Sequence, residues 1–216
     1  MQLDFATVLV LVILLVAGYW FLFVRKSDGK VLAGSVTGQE LALILGPSGA
    51  GKTALFYRLQ SGVFRETVSS LKPNSGLIKL GNSTMVDAID YPGHDKLRHG
   101  LSNLIPKATQ ILFIIDPTDK SQLKAGAEQL FDLLSNNDLN APIRVCLSKL
   151  EKDGQKSVKY LTLELEREIE KMRKSRDGES GRFLGVDGQD FSFTKNHAPV
   201  PVSFVTISSK TGELPF

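Results

Sequence analysis

Runs of apolar residues alternate with amphipathic stretches along most of the chain, which is typical of strands that alternate with helices. The run Ile111-Leu-Phe-Ile-Ile115 is continuously apolar, as expected of a parallel strand that is covered on both faces. The runs that predict strands are 41–45, 77–80, 84–90, 110–116, 143–148 and 202–207. The pattern therefore predicts an α/β fold on a doubly wound, mostly parallel sheet of six strands flanked by helices.

Helical patterns occupy the gaps between these strands. A helix is predicted over 53–60, directly after the first strand, and apolar residues share one helical face in 120–135 and in 157–173. The remaining residues of the last helix are mostly Glu, Lys and Arg, which is typical of a solvated face. Two stretches lack clear periodicity, 62–76 and 174–199. The second is polar and glycine-rich, which predicts a surface insertion that is partly disordered.

The N-terminal part has a different pattern, because residues 5–24 form one unbroken run without charge. A helix rises ~1.5 Å per residue, so this run would span the ~30 Å core of a bilayer. Arg25 and Lys26 follow the run and no Lys or Arg precedes it, so the positive-inside rule predicts that the N-terminus lies outside the cytosol. A cleaved signal peptide is the alternative, but it needs a basic start and a shorter core. The predicted layout is a lumenal end, a transmembrane helix, a linker and one domain: 1–4, 5–24, 25–39 and 40–216.

Charge and cysteine content exclude several other classes. The net charge of +3 is too small to indicate nucleic-acid binding, and no basic patch is interleaved with aromatic residues. Cys146 is the only cysteine, so no disulfide can form within the chain. Its apolar neighbours predict a small buried core residue.

The strongest motif is at 46–53, which reads Gly-Pro-Ser-Gly-Ala-Gly-Lys-Thr and matches the phosphate-binding pattern G-x-x-x-x-G-K-[ST]. A predicted strand precedes it and a predicted helix follows it, as the motif requires. Lys52 can neutralise the β and γ phosphates, and the Thr53 hydroxyl can bind Mg²⁺. A plain glycine turn is the alternative. The residues predicted to hold the phosphates are Gly46, Ser48, Gly49, Ala50, Gly51, Lys52 and Thr53.

A second motif, Asp90-Tyr-Pro-Gly93, closes the predicted strand 84–90. An Asp at the carboxyl end of a strand can hold Mg²⁺ through water, opposite the phosphate loop. The Gly93 N–H is placed to bond the γ-phosphate, so the loop after it can respond to the nucleotide. Alone, D-x-P-G is a common turn. In Ras-like GTPases the next position orients the attacking water, which makes His94 the candidate catalytic residue, with an ordinary exposed histidine as the alternative.

The resemblance to Ras-like GTPases extends to the base side, with departures. That class recognises guanine with Asn-Lys-x-Asp after the fifth strand, where this chain reads Ser148-Lys-Leu-Glu151. The lysine keeps its aliphatic stem, the glutamate keeps a carboxylate, and the serine replaces an amide by a hydroxyl. After the sixth strand, Ser208-Ser-Lys210 matches the Ser-Ala-Lys loop whose backbone N–H reads guanine O6. These signals favour guanine over adenine, with the base-side residues predicted as Ser148, Lys149, Glu151, Ser208, Ser209 and Lys210.

With the anchor and these motifs in this order, the chain resembles the beta subunit of the signal recognition particle receptor over essentially its whole length. Val63-Phe-Arg-Glu-Thr67 and Phe191-Ser-Phe193 also match that family. The resemblance implies a Ras-like GTPase, close to the ADP-ribosylation factors, with GTP and Mg²⁺ as cofactors. It implies that the first switch region lies at about 65–76, with Ser69 or Ser70 as the hydroxyl on the Mg²⁺ side. The implied metal-binding residues are Thr53, Asp90 and one of these serines, of which Ser70 is the one we name.

The same resemblance implies the function. The beta subunit would sit in the endoplasmic reticulum membrane and hold the receptor's alpha subunit there for co-translational protein targeting, with the ribosome and the translocon as further candidate partners. Ser48 stands where many active small GTPases have a glycine beside the γ-phosphate, which implies slow hydrolysis. The alternatives are an ADP-ribosylation-factor-like GTPase in vesicle trafficking and a P-loop ATPase or kinase.

Overall fold

The structure is a computed structural model that describes residues 40–81, 84–94, 100–150, 157–176, 183–212 and 214–215. The predicted anchor at 5–24, the linker at 25–39 and Glu151 lie outside these residues. Among the described helices, none is long and apolar enough to cross a bilayer.

Six strands of the described chain form one sheet. They are β1 (Leu41–Leu45), β2 (Asn74–Leu80), β3 (Thr84–Asp90), β4 (Gln110–Ile115), β5 (Ile143–Ser148) and β6 (Val202–Ile207). Their order across the sheet is β2-β3-β1-β4-β5-β6. β2 runs antiparallel to β3, and the other neighbouring pairs are parallel. The predicted mostly parallel sheet of six strands is therefore confirmed.

The second strand is longer than its hydrophobic pattern indicates. β2 begins at Asn74, before the predicted start at 77, and Asn74 pairs with Asp90 of β3. Its first residues are polar or glycine and carry no strand signal, but the ladder of backbone hydrogen bonds does not depend on side-chain polarity. The extension has a consequence for the site, because it brings the Asn74 side chain beside Asp90.

Three α-helices connect the strands in the described residues: α1 (Lys52–Ser61), α2 (Lys120–Leu134) and α3 (Val158–Ser175). The Asp119 carboxylate caps α2 by accepting from the Ser121 N–H, and the Ser157 hydroxyl caps α3 by accepting from the Tyr160 N–H. Most of the apolar residues that predicted α2 and α3 are buried, among them Leu123, Leu130, Leu134, Leu161, Leu165 and Ile169. The three predicted helices are confirmed.

Both faces of the sheet are covered. Leu43 and Phe113 lie in the core on the side of α2 and α3, whereas Ile44 and Leu112 lie in the core on the side of α1. Adjacent residues of one strand thus enter opposite cores, which explains why the strand sequences are continuously apolar. Cys146 is fully buried, and burial raises the pKa of its thiol to about 12. It is the small core residue that was predicted.

Residues 183–199, which follow α3, are packed more firmly than their polar composition indicates. Within the predicted insertion at 174–199, three apolar side chains are buried in the main core: Leu184, Phe191 and Phe193. The Glu166 carboxylate on α3 accepts a hydrogen bond from the Phe193 N–H at 2.7 Å. The prediction of a surface insertion is wrong for these residues, because α3 supplies hydrogen bonds that composition alone does not reveal.

Candidate nucleotide-binding site

The predicted phosphate loop leaves the carboxyl end of β1 and leads directly into α1. Gly51 has a φ of 99°, and the helix begins at Lys52. The Lys52 side chain is buried, and its ammonium Nζ donates to the Pro47 carbonyl at 2.8 Å. The ammonium is therefore held at the loop itself. A cation at a helix N-terminus, where backbone N–H groups lack helical partners, is suited to binding phosphate.

The three predicted magnesium-side groups converge on one point. The Thr53 hydroxyl donates to Asp90 Oδ2 at 2.7 Å, and Ser70 Oγ lies 3.0 Å from Thr53 Oγ1. Because Thr53 has only one hydroxyl proton, which it donates to Asp90, Ser70 is the donor in the second contact. Ser69 instead lies at the outer end of the loop, with its Oγ 3.0 Å from Ser48 Oγ. Of the two serines left open by the sequence, Ser70 is the one beside Thr53.

The surroundings of Asp90 fit a bound cation. The carboxyl group is fully buried, and Asp90 Oδ1 has no hydrogen-bond partner among the described residues. Burial raises the pKa of Asp90 above its ordinary value of 3.8, although hydrogen bonds from Asn74 and Thr53 and the charge of Lys52 act in the opposite direction. A buried carboxylate with an unsatisfied oxygen is costly unless a cation or a donor compensates it. Carboxylate and hydroxyl oxygens are also the ligands that Mg²⁺ prefers.

We expect Asp90→Asn to remove a pH dependence and to weaken a metal dependence. A raised folded-state pKa means that Asp90 leaves stability intact below pH 3.8 and lowers it as the pH rises through the raised value. Without Mg²⁺, unfolding midpoints measured across that pH range should therefore fall less steeply in the variant. With GDP present, added Mg²⁺ should raise the midpoint of the native chain more than that of the variant, which keeps Thr53 and Ser70 but lacks one of the three groups. Asp87→Asn, on the same strand, is the control, and a variant that responded to Mg²⁺ as strongly as the native chain would contradict the metal assignment.

The Asp-x-Pro-Gly loop touches the phosphate loop. A Cβ added at Gly93 would lie 2.5 Å from Ser48 N and 2.6 Å from Gly46 O and from Lys52 Nζ, closer than real Cβ atoms approach. Only glycine therefore fits here. On the other side, Gln129 of α2 donates from Nε2 to the Gly93 carbonyl at 3.2 Å. The loop is thus held between α2 and the phosphate loop.

His94, the candidate catalytic residue, follows Gly93 and is exposed to solvent. Residues 95–99 lie outside the described part of the chain. The catalytic role of His94 stays a prediction.

The predicted base-side residues after β5 bond to the back of the phosphate loop. The Ser148 hydroxyl is buried, donates to the Ala50 carbonyl at 2.8 Å and lies 3.1 Å from the Ile115 carbonyl. The ammonium of Lys149 donates to the Gly49 carbonyl at 2.8 Å. The last side chain of β5 and the side chain that follows it therefore bind two successive carbonyls of the phosphate loop. These bonds connect the base side of the site to the phosphate side.

Asp116, at the end of β4, completes this arrangement. Its Oδ2 accepts from Lys149 Nζ at 2.8 Å, and its Oδ1 accepts from the N–H and the hydroxyl of Thr118 at 3.1 and 2.6 Å. Burial alone would raise the pKa of Asp116, but the hydrogen bonds from Lys149 and Thr118 outweigh it and hold the pKa below its ordinary value. The carboxylate is therefore charged at neutral pH.

One cleft of about 460 Å³ joins the two sides of the site. Such a volume is in the ordinary range of about 300–1,000 Å³ for small-molecule sites. Its walls are formed by the phosphate loop and α1 start, the segment 64–70, Pro92 and Gly93, Ser148 and Lys149, and Ser209 and Lys210. Ser208 is buried beneath the last of these, where its hydroxyl accepts from the Thr211 N–H at 3.1 Å and shapes the turn. The roles of Ser208 and of the residues that line the cleft as nucleotide ligands stay predictions.

A comparison with protein families decides what kind of protein carries this cleft. The family model described as "Signal recognition particle receptor beta subunit" matches residues 37–198, three quarters of the chain. The chain belongs to the signal recognition particle receptor beta subunit family. This confirms the resemblance predicted from the motifs.

Individual relatives agree with this family. The signal recognition particle receptor subunit beta of Rattus norvegicus is 30% identical over 95% of this chain and 78% of the relative. The subunit beta of Saccharomyces cerevisiae is 30% identical over 70% of this chain and 67% of the relative. ADP-ribosylation factor-like protein 1 of Saccharomyces cerevisiae is 28% identical over only 57% of this chain. The trafficking alternative thus matches a smaller part of the chain than the receptor beta subunit family does.

Solved structures show the same relationship. A chain of the mammalian signal recognition particle receptor superposes with a TM-score of 0.70 at 28% identity, over 79% of this chain and 92% of that chain. A chain of the receptor complex with GTP and SRX from Chaetomium thermophilum has a TM-score of 0.62 at 20% identity, which shows the fold alone. The α/β GTPase fold of this family is thereby confirmed.

Three contacts of the candidate nucleotide-binding site involve residues that were not predicted as part of it: Asn74, Asp116 and Gln129. Asn74 donates to Asp90 Oδ2 at 2.9 Å, from a strand start that has no hydrophobic signal. Gln129 is one polar residue among several on an amphipathic helix, so the sequence offered no reason to select it. Asp116 could have been found, because it ends a predicted strand just as Asp90 does.

Proposed function

We propose that the chain is the GTP-binding beta subunit of a signal recognition particle receptor, which holds the alpha subunit at the endoplasmic reticulum membrane when GTP is bound. The observation that carries the proposal is the single cleft in which the phosphate loop meets the segment 64–70 and the base-side residues Lys149 and Lys210. A nucleotide in this cleft would contact the segment proposed to recognise the partner. Membership of the receptor beta subunit family supports the same function.

On the phosphate side, Lys52 would neutralise the phosphates, and Thr53, Ser70 and Asp90 are the residues that would hold Mg²⁺. The metal, when bound, neutralises charge that develops on the phosphates. The contacts of Thr53 support this assignment, because its hydroxyl already lies within hydrogen-bond distance of both Ser70 and Asp90. A change of nucleotide that alters the contact of Ser70 would also alter the segment that carries it.

On the base side, the stem of Lys149 and the turn Ser208-Ser-Lys210 bind guanine, with Glu151 as the carboxylate that pairs with the base. Ser148 also supports the phosphate loop, since its hydroxyl donates to the carbonyl of Ala50.

Hydrolysis is slow in this proposal. His94 orients the attacking water, and Ser48 occupies the position beside the γ-phosphate. The contact of 3.0 Å between the hydroxyls of Ser48 and Ser69 supports a role for Ser48 in holding the segment 65–76 closed over the phosphate loop. A subunit that tethers a partner needs a long-lived GTP state more than a rapid turnover.

The partner surface is the segment 65–76 with the neighbouring outer face of β2 and β3. Val68 and Leu71 are 89% and 77% exposed, and Leu77 and Met85 are 44% and 52% exposed on the strands beside them. Apolar side chains of this size on a surface favour burial by another protein. The predicted anchor at 5–24 would attach the domain to the membrane, with the domain in the cytosol.

The proposal is tested by the nucleotide that the full chain binds. Purified in detergent with Mg²⁺, the chain should bind GTP and GDP at least tenfold more tightly than ATP in a calorimetric titration, and the nucleotide released on denaturation should be a guanine nucleotide. Tighter binding of ATP would overturn the proposal. Retention of the receptor's alpha subunit on the immobilised chain should be stronger with a non-hydrolysable GTP analogue than with GDP.

We expect Leu71→Asp to weaken this retention roughly tenfold or more, since a charge would be buried against an apolar partner surface. Its affinity for GDP should stay unchanged, because Leu71 is largely exposed outside the phosphate loop. Leu163→Asp is the matched control, as Leu163 is an exposed leucine on α3, away from the cleft. Equal retention by the Leu71 variant and the native chain would locate the partner surface elsewhere.

A further inference from the structure

Lys149 has an unusual backbone conformation at the base side of the cleft. Its φ is 60°, in the left-handed region that residues other than glycine seldom adopt. Its ammonium donates to the Gly49 carbonyl and to Asp116 Oδ2, each at 2.8 Å. Because both partners hold the charged end, the apolar stem is the part of Lys149 that is left to form the cleft wall.

Asp116 is itself held firmly. It is 6% exposed and follows the last residue of β4, where Ile115 lies beside Leu147 of β5. One carboxylate oxygen accepts both hydrogen bonds from Thr118, which leaves the other oxygen for Lys149. A carboxylate that is fixed on one side and charged at neutral pH is a rigid acceptor for an ammonium.

We propose that Asp116 is a positioning residue for the nucleobase: it fixes the Lys149 stem as one wall of the base site and so strengthens guanine-nucleotide binding without touching the nucleotide. The inference rests on the proposed nucleotide-binding function. A purine has broad apolar faces, and a stem that is ordered before binding loses less conformational entropy when the base packs on it. Ser148 cannot replace this support, since its hydroxyl is directed to the Ala50 and Ile115 carbonyls.

The position of the contact between Asp116 and Lys149 predicts how the two nucleotides respond to its loss. Asp116 acts on the base side, and GDP and GTP share the same base. Loss of Asp116 should therefore weaken both nucleotides by the same factor, whereas a defect on the phosphate side would change their ratio. Hydrogen bonds between charged groups are stronger than neutral ones, but the Lys149 side chain is 32% exposed, so an effect of about tenfold is expected.

The test is a double-mutant cycle on the full chain in detergent with Asp116→Asn, Lys149→Met and the double variant. Asn keeps an acceptor for Thr118 and removes the negative charge, and Met keeps an unbranched stem and removes the ammonium. The readout is the dissociation rate of GDP and GTP labelled on the ribose. Asp119→Asn is the matched control, because Asp119 is an exposed carboxylate in the same loop that caps α2 and bonds to Ser121.

Each single variant should release GDP and GTP about tenfold faster, and the double variant should be no faster than either. The ratio of the two nucleotides and the rates of the Asp119 variant should match those of the native chain. Native rates in Asp116→Asn, or effects of the two changes that multiply, would overturn the inference. Asp116→Asn is excluded if it is unfolded and binds less than one nucleotide per chain. Lys149→Met then decides alone, and native release rates in that variant overturn the inference. A native chain that binds no guanine nucleotide overturns the proposed function, and with it this inference.

Discussion

Lys52→Ala is expected to weaken the binding of GTP and GDP by roughly 30- to 4,000-fold. Removing one partner of a buried, hydrogen-bonded charge pair costs about 2–5 kcal/mol, and each 1.4 kcal/mol is a factor of ten. The Lys52 side chain is only 6% exposed, and its ammonium is held at the loop by the Pro47 carbonyl. The phosphates would lose their main neutralising charge, which a calorimetric titration of the full chain with GDP and Mg²⁺ would show directly.

Two further variants distinguish the effect of losing the Lys52 charge from the effect of losing its packing. Lys52→Met keeps the buried stem and removes only the ammonium, so it should lose as much affinity as the alanine variant. Lys124→Ala removes an exposed lysine on α2 and should bind normally. If the alanine and methionine variants both kept native affinity, the segment 46–53 would be only a glycine turn.

Gly46→Ala is expected to destabilise the fold by about 3–5 kcal/mol, a large part of the total stability of a domain. Gly46 has a φ of 132°, and an added Cβ would lie 2.0 Å from the Ile114 carbonyl oxygen. That oxygen belongs to the backbone of β4 in the centre of the sheet, where it cannot move without disturbing both neighbouring strands. The midpoint of thermal unfolding, followed by circular dichroism in detergent, should fall by roughly 10 °C or more.

Gly51→Ala is the comparison within the same loop. Gly51 also has a positive φ, but nothing lies within 4 Å of an added Cβ. Only backbone strain remains, about 1–2 kcal/mol. Equal effects of the two substitutions in the absence of nucleotide would show that strain, and not the close approach to β4, sets the cost at Gly46.

The elements of the sheet could be predicted because each carries a local signal. The run Ile111-Leu-Phe-Ile-Ile115 is apolar throughout, and it forms a central strand whose residues enter both cores. The start of β2 at Asn74 could not be predicted, since its pairing partner lies on another strand. The burial of Phe191 and Phe193 was missed for a similar reason, because two carboxylates of α3 support their backbone: Glu170 accepts from the Phe191 N–H and Glu166 accepts from the Phe193 N–H.

In the candidate site, too, the residues with a local sequence signal were predicted and those that depend on a distant partner were not. Lys52 and Thr53 were predicted from a motif whose spacing is set by a strand, a loop and a helix that follow one another, and Asp90 from a motif that closes a predicted strand. Asp116 was missed although it ends a strand, because its importance appears only when its partner Lys149 is known. Which carboxylate an ammonium meets depends on how β4 and β5 lie side by side.

Short-range chemistry along the chain established the phosphate loop, the strands and the helices, since each depends on residues within a few positions of one another. Tertiary structure alone decided the contacts that complete the site. Thr53 meets Ser70 across 17 positions, Asn74 meets Asp90 across 16, and Lys149 meets Asp116 across 33. Ser69 and Ser70 have the same hydroxyl, and only the path of the backbone places one beside Thr53 and the other beside Ser48. A hydrogen bond forms within about 3 Å, and sequence patterns do not resolve distances of that size between separate elements.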